Sequence, residues 1–157
     1  MTTAFEYTLK AGGLETEKDY PYTRNDRGPC KFDKTKIAAS VSNFSVISID
    51  EDQIAANLVK HGPLAVGINA VFIDIHSRGF MPIYLWETFG SWSPLVGYGS
   101  AGYAPVRFKN KPYWIIKNSW GENGYYKICR GNNVCGVDSM VSSVSALHIL
   151  KRQQLSH

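Results

Sequence analysis

The sequence lacks any apolar run long enough to cross a bilayer as a helix, and its first residues lack the charged-then-apolar pattern of a signal peptide. No membrane partner and no secretory leader are therefore read from it. Cysteine is scarce. Cys30, Cys129 and Cys135 are the whole complement, without a C-x-x-C or a matching histidine pair, which excludes a zinc module; neither a metal nor a cofactor is expected. The odd count leaves at least one thiol unpaired. Charge is thin and dispersed as well. Seventeen basic against thirteen acidic residues give a net +4, and the lysines and arginines never gather over aromatics, so no nucleic-acid partner is expected. No segment repeats.

Apolar and aromatic surface is plentiful: 157 residues, 44% hydrophobic and 13% aromatic, can build the core of one modest domain. Residues 2–11 carry Phe5, Thr8 and Leu9 on one helical face and run into Gly12-Gly13, the pattern of a short helix stopped by a glycine cap. Asp19-Tyr20-Pro21-Tyr22 and Asn25-Asp26-Arg27-Gly28-Pro29 are turn chemistry and read as a long surface connection. Residues 37–47 are strand-like, with Val41, Phe44 and Val46 as the expected buried face. Asp50, with Gln53 three residues on, forms a capping box for a helix striped by Ile54, Ala55, Leu58 and Val59 and ended by Gly62-Pro63. Short β-prone runs follow at 64–69, 95–98, 113–117 and 125–128. One good helix among several short strands and Gly-rich turns predicts an α+β chain built on a small antiparallel barrel or sandwich. The tail from 151 to 157 is polar and expected to be loose.

The most informative run is Tyr113-Trp114-Ile115-Ile116-Lys117-Asn118-Ser119-Trp120-Gly121, where an apolar strand delivers an amide, a hydroxyl and an indole together at its end. Taken alone it reads as a buried strand entering a turn, with Asn118 and Gly121 supplying turn conformations and Trp120 filling core. Other segments give it a context: Met1-Thr2-Thr3-Ala4-Phe5, Tyr20-Pro21-Tyr22, Gly62-Pro63-Leu64-Ala65-Val66, Val96-Gly97-Tyr98-Gly99 and Glu122-Asn123-Gly124-Tyr125-Tyr126. In this order they resemble the papain-like cysteine peptidases. Lys127-Ile128-Cys129 and Val134-Cys135-Gly136-Val137-Asp138 make the plant cathepsin-F-like branch the best match. The resemblance is to the second half of the mature peptidase and fails only between about 73 and 94.

That resemblance implies a papain-like fold remnant: residues 1–35 from the helical left domain and crossover, 36–148 forming the antiparallel β-barrel right domain, and 149–157 a loose tail. It implies peptide-bond hydrolysis by a thiolate held against an imidazole, with an Asn fixing the ring's tautomer and donors for the oxyanion. Asn118 takes the place of the triad Asn, Trp120 that of the indole shielding it, and Met1 and Gly67 those of pocket-lining residues. Cys30, Cys129 and Cys135 fall at positions the family uses for disulfides. The family's nucleophilic Cys and oxyanion Gln lie upstream of the segment matched by Met1, and Ser91, within Gly90-Ser91-Trp92, occupies the place of the catalytic His. His61, His76, His148 and His157 do not fall there. About four residues are also missing between Trp120-Gly121 and Glu122. The expectation is a marginally stable, inactive remnant; the alternative is a non-catalytic peptide- or propeptide-binding remnant. The partners implied are a peptide or protein substrate, a propeptide or a cystatin-type inhibitor, and the compartment is a vacuole, a lysosome or the extracellular space.

The failing stretch has a reading of its own. Met81-Pro82 must be encoded ATG-CCN, which one base later forces Cys, and Trp86-Glu87 must be TGG-GAR, which one base later forces Gly. With permitted codons throughout, the shifted translation of 81–93 is Cys-Pro-Tyr-Ile-Cys-Gly-Arg-His-Leu-Asp-His-Gly-Val, the family's missing segment with its His and two cysteines. Residues 73–94 are accordingly expected to be family coding sequence in the wrong frame, entered by a two-base loss near Ile73 and left by a one-base loss near Pro94.

Overall fold

The computed structural model describes residues 1–23, 28–69, 90–100, 111–118 and 124–149. Asp50 starts a helix for the reason its position predicts. Its carboxylate accepts hydrogen bonds from the backbone amides of Asp52 and Gln53, filling donors that the first turn of α2 (Glu51–His61) cannot satisfy internally. Gly62 closes the other end, its N–H reaching the Leu58 carbonyl. Ile54, Ala55 and Leu58 are buried along one stripe, but Val59 is 73% exposed. Val59 follows Leu58 by a 100° step, which carries it past the edge of the buried stripe.

The first helix, α1 (Thr2–Ala11), ends as expected on Gly12 in the left-handed conformation, φ 97°, with its N–H bonded to the Thr8 carbonyl. A side chain is strained there, and glycine is not. Leu14 then bridges to Ala39, and Phe5 packs its ring 5.6 Å from that of Phe44.

Six strands lie among the described residues: β1 (Ala39–Ile47), β2 (Leu64–Ile68), β3 (Ser91–Gly99), β4 (Tyr113–Lys117), β5 (Tyr125–Cys129) and β6 (Val141–Ile149). They form one antiparallel sheet in the order β1-β6-β2-β3-β4-β5. The expected burial of β1 is corrected at Val46, which is 65% exposed, while Ile47 is buried and Val41 and Phe44 are half-buried. Side chains alternate along a strand, so seating Ile47 in the core turns Val46 outward. β3 begins four residues before the expected 95, and β6 was not anticipated as a strand. Ser142 and Ser143 interrupt the apolar pattern of β6, yet both are buried, with the Ser143 hydroxyl 2.8 Å from that of Ser45. The expected loose tail, 151–157, lies outside the described residues.

The chain divides into two compact units, Met1–Phe44 with Val144–His157, and Ser45–Ser143. In the second unit α2 and the sheet enclose the core, in which Ile54, Val66, Leu95, Trp114, Ile116 and Val137 are fully buried. Each such side chain contributes roughly 1.5–3 kcal/mol relative to exposure. Gly99 lets β3 lie close to β4, because a Cβ there would meet the Tyr113 hydroxyl at 2.6 Å.

Candidate functional site

Strand β4 forms because its apolar residues alternate into the core: Trp114 and Ile116 are buried, and Tyr113 and Ile115 face the other side half-buried. The strand delivers Asn118 at its end. The Asn118 backbone N–H donates to the Gly124 carbonyl at 2.8 Å, where the chain returns into β5. Trp120 and Ser119 lie outside the described residues.

Because β3 and β4 are antiparallel, the end of β4 and the start of β3 share one edge of the sheet. Ser91 starts β3, paired with Ile68, and Gly90 donates its N–H to the Ile68 carbonyl at 3.0 Å. Gly67, which is buried, is paired with Trp92. Ser91 and Gly67 thus stand on neighbouring strands, and Asn118 follows the last residue of the next one. Met1 belongs to the other unit, where its carbonyl accepts from Ala4 and Phe5 at the start of α1.

All three cysteines are free thiols. Cys30 is exposed, and its pKa is lowered first by the Phe32 backbone amide and then by the Tyr7 hydroxyl, 3.9 Å away. Burial raises the pKa of Cys129, with Lys111 opposing, and burial alone raises that of Cys135. Desolvation disfavours the thiolate, the reactive form, so the two thiols of the second unit are poor nucleophiles.

The residues at the head of β3 sit badly. Ser93 is buried at 7% exposure, and the exposed Pro94, which has no N–H, is paired with Ala65 in a strand flanked on both sides. Beside Ser93 lies the buried Tyr126 hydroxyl, and side-chain hydrogen bonding from the serine lowers the phenol's pKa. Burial pushes the Tyr126 pKa up to about 12 against that opposing influence of Ser93.

A second polar cluster was not foreseen from the sequence. The Glu51 carboxylate accepts from Trp114 Nε1 at 3.0 Å and from the backbone amides of Gly131 at 2.7 Å and Asn133 at 3.0 Å. Arg130 pairs with Asp52 at 2.6 Å and lays its guanidinium over the rings of Trp114 and Tyr98, 4.9 and 5.1 Å from their centroids. A recess of about 510 Å³ opens between Asp50, Asp52, Pro112, Arg130 and Asn132. The Asp138 pKa is raised, chiefly by burial and next by the Glu51 carboxylate. Asp50-Glu51-Asp52 reads in sequence as ordinary acidic bias at a helix start, and nothing in its spacing sets Glu51 apart.

The architecture occurs in solved structures of digestive procathepsins. Procathepsin L 3 from the larval midgut of Tenebrio molitor superposes with a TM-score of 0.76 at 30% identity, covering 90% of this chain and 47% of that one. Procathepsin L2 from the same source gives 0.74, again at 30% identity, over 90% and 45%. The fold is therefore the papain-like α+β fold. The model of the papain family cysteine proteases matches residues 1–145. "Cysteine proteinase 1" of Zea mays is 64% identical over 159 residues, covering 96% of this chain and 43% of the relative, and a "Cysteine proteinase" of Carica papaya is 60% identical over 92 residues, covering 55% and 96%. This chain belongs to the papain family of cysteine proteases. It spans about two-fifths of the length of the Zea mays relative.

Proposed function

We propose that this chain is the C-terminal half of a plant cathepsin-F-like peptidase and that, as it stands, it does not hydrolyse peptides. The observation that carries the reading is Ser91 at the sheet edge where β4 presents Asn118, the position the family gives to its catalytic imidazole. A serine hydroxyl cannot take a proton from a thiol near neutral pH, whereas an imidazole can. Asn118 is then a tautomer-fixing residue with no ring to hold, and Trp120 a shield with nothing to cover. Cys30, Cys129 and Cys135 do not replace the nucleophile, since they match the family's disulfide positions and two of them are desolvated. In sequence, Met1 and Gly67 match the family's pocket-lining positions.

The buried serine at position 93 supports the frame-change account of the lost imidazole. The shifted frame supplies Asp-His-Gly-Val at 90–93, restoring an apolar side chain at the buried position now held by Ser93. The substrate class of the lineage is peptides and proteins, and a propeptide is the partner its procathepsin relatives indicate. The test is a fluorogenic peptide-amide assay on the purified chain, with and without an epoxide that alkylates catalytic thiols. No turnover is expected; inactivator-sensitive hydrolysis would overturn the proposal.

A further inference from the structure

We infer that Glu51 is the positioning residue for the Gly67 end of β2, acting through the turn at 131–136. That turn is built almost entirely of residues in the left-handed region: Gly131 at φ 93°, Asn132 at 67°, Asn133 at 50°, Cys135 at 59° and Gly136 at 71°. Outside glycine this conformation is disfavoured, and Asn tolerates it better than Cys does. Such a turn needs partners outside itself. Glu51 supplies them: Oε2 takes the Gly131 amide and the Trp114 indole N–H, and Oε1 takes the Asn133 amide. The anchor is an anion at the first position of α2, where the helix dipole favours negative charge.

From Asn133 the restraint runs on by hydrogen bonds. Its side-chain oxygen accepts from the Asp138 amide at 3.2 Å, and its side-chain nitrogen donates to the Ser139 hydroxyl at 3.0 Å. The far side of the turn then grips β2 twice, for the Asn69 amide donates to the Cys135 carbonyl at 2.9 Å and the Gly67 amide to the Met140 carbonyl at 3.0 Å. Glu51's other donor, Trp114, stands on β4, two strands away from β2, so the shorter hydrogen-bonded route from Glu51 to Gly67 and Asn69 passes through the turn. That Gly67 lines a peptide pocket rests on the reading proposed above; the mechanical coupling does not.

Residue-resolved amide hydrogen exchange on the full chain tests the coupling. Glu51→Gln keeps the side chain's length but replaces a charged oxygen with an amide group facing donors, and should speed exchange at Gly67, Asn69, Gly131 and Asn133 roughly tenfold or more. Ile116 and Ile128, in β4 and β5, should keep their protection, and the Trp114 indole proton resonance should shift. Asp52→Ala, which breaks only the exposed pair with Arg130, should leave Gly67 and Asn69 unchanged. Glu51→Gln with unaltered exchange at Gly67 and Asn69, or with equal loss throughout the sheet, would overturn the inference; if Glu51→Gln does not fold, Asn133→Ala must reproduce the local pattern or the inference fails. Neither result bears on peptide hydrolysis, so the two proposals fail separately.

Discussion

The corner held by Glu51 and the head of β3 belong to the same unit, yet in one the buried polar groups are met by charged partners and in the other a serine is buried in a strand that also holds a proline. At the corner, Trp114 is fully buried with its N–H bonded, two orphan amides of a left-handed turn are taken by one carboxylate, and Arg130 is ion-paired and stacked on two rings. At the head of β3 a serine is buried two residues before the buried Leu95, beside a buried phenol, and a proline sits in a strand paired on both sides. Consistency across levels marks a sequence shaped for its fold, and conflict marks one that is not. The difference teaches that the inward face of β3 at position 93 is a core position, and that a serine is a poor occupant of it.

Breaking the well-made corner should have the largest effect. Trp114→Ala removes a fully buried ring and leaves the Glu51 carboxylate without one donor, and should lower unfolding free energy by about 3–5 kcal/mol in urea titration. For a domain whose total stability is roughly 5–15 kcal/mol, loss of a cooperative transition is the expected form of that result.

Mending the other region should move stability upward. Ser93→Val puts apolar surface in the buried site, and is expected to stabilise by roughly 1–2 kcal/mol. A lower denaturation midpoint for this variant would break the contrast between the two regions.

Thiol reactivity sharpens the contrast with Cys30. The exposed Cys30, with its lowered pKa, should react first with a disulfide reagent at pH 7.5, and Cys135 last, since its pKa is raised and its sulfur is buried. Mass spectrometry of the partly labelled chain checks the order.

The smallest expected effect is at Asp138. Its folded-state pKa is raised, so the ionised form is penalised by folding; that penalty is absent below the unfolded-state pKa and grows as pH rises through the folded-state value. Asp138→Asn should therefore raise the thermal midpoint slightly at pH 7 and leave it unchanged near pH 3.

Much of the fold was legible because its signals are local. The Asp50 cap, the Gly12 and Gly62 stops and the strand at Tyr113–Lys117 all follow from residues within one turn or one alternation. Val46 and Val59 were misjudged because the edge of a buried face is set by neighbours in space. β6 escaped because Ser142 and Ser143 are polar, and only pairing with β2 and the hydroxyl of Ser45 makes their burial tolerable. Of the candidate site, Asn118, Gly67 and Ser91 could be named from motif resemblance, but the placing of Gly67 and Ser91 on adjacent strands, with Asn118 just past the end of the next, comes from register. Glu51 was invisible for the same reason: its donors lie 63 to 82 residues away in sequence.

The central claim is that the residues now at 73–94 are the family's own segment read out of frame, which removed the imidazole that Asn118 would hold. Sequencing the transcript across these codons tests it most directly. The account predicts Asp-His-Gly-Val in the frame one base later at 90–93, bounded by a two-base loss near Ile73 and a one-base loss near Pro94. An intact frame that encodes Gly90-Ser91-Trp92, with no Asp-His-Gly-Val in the shifted one, would contradict it.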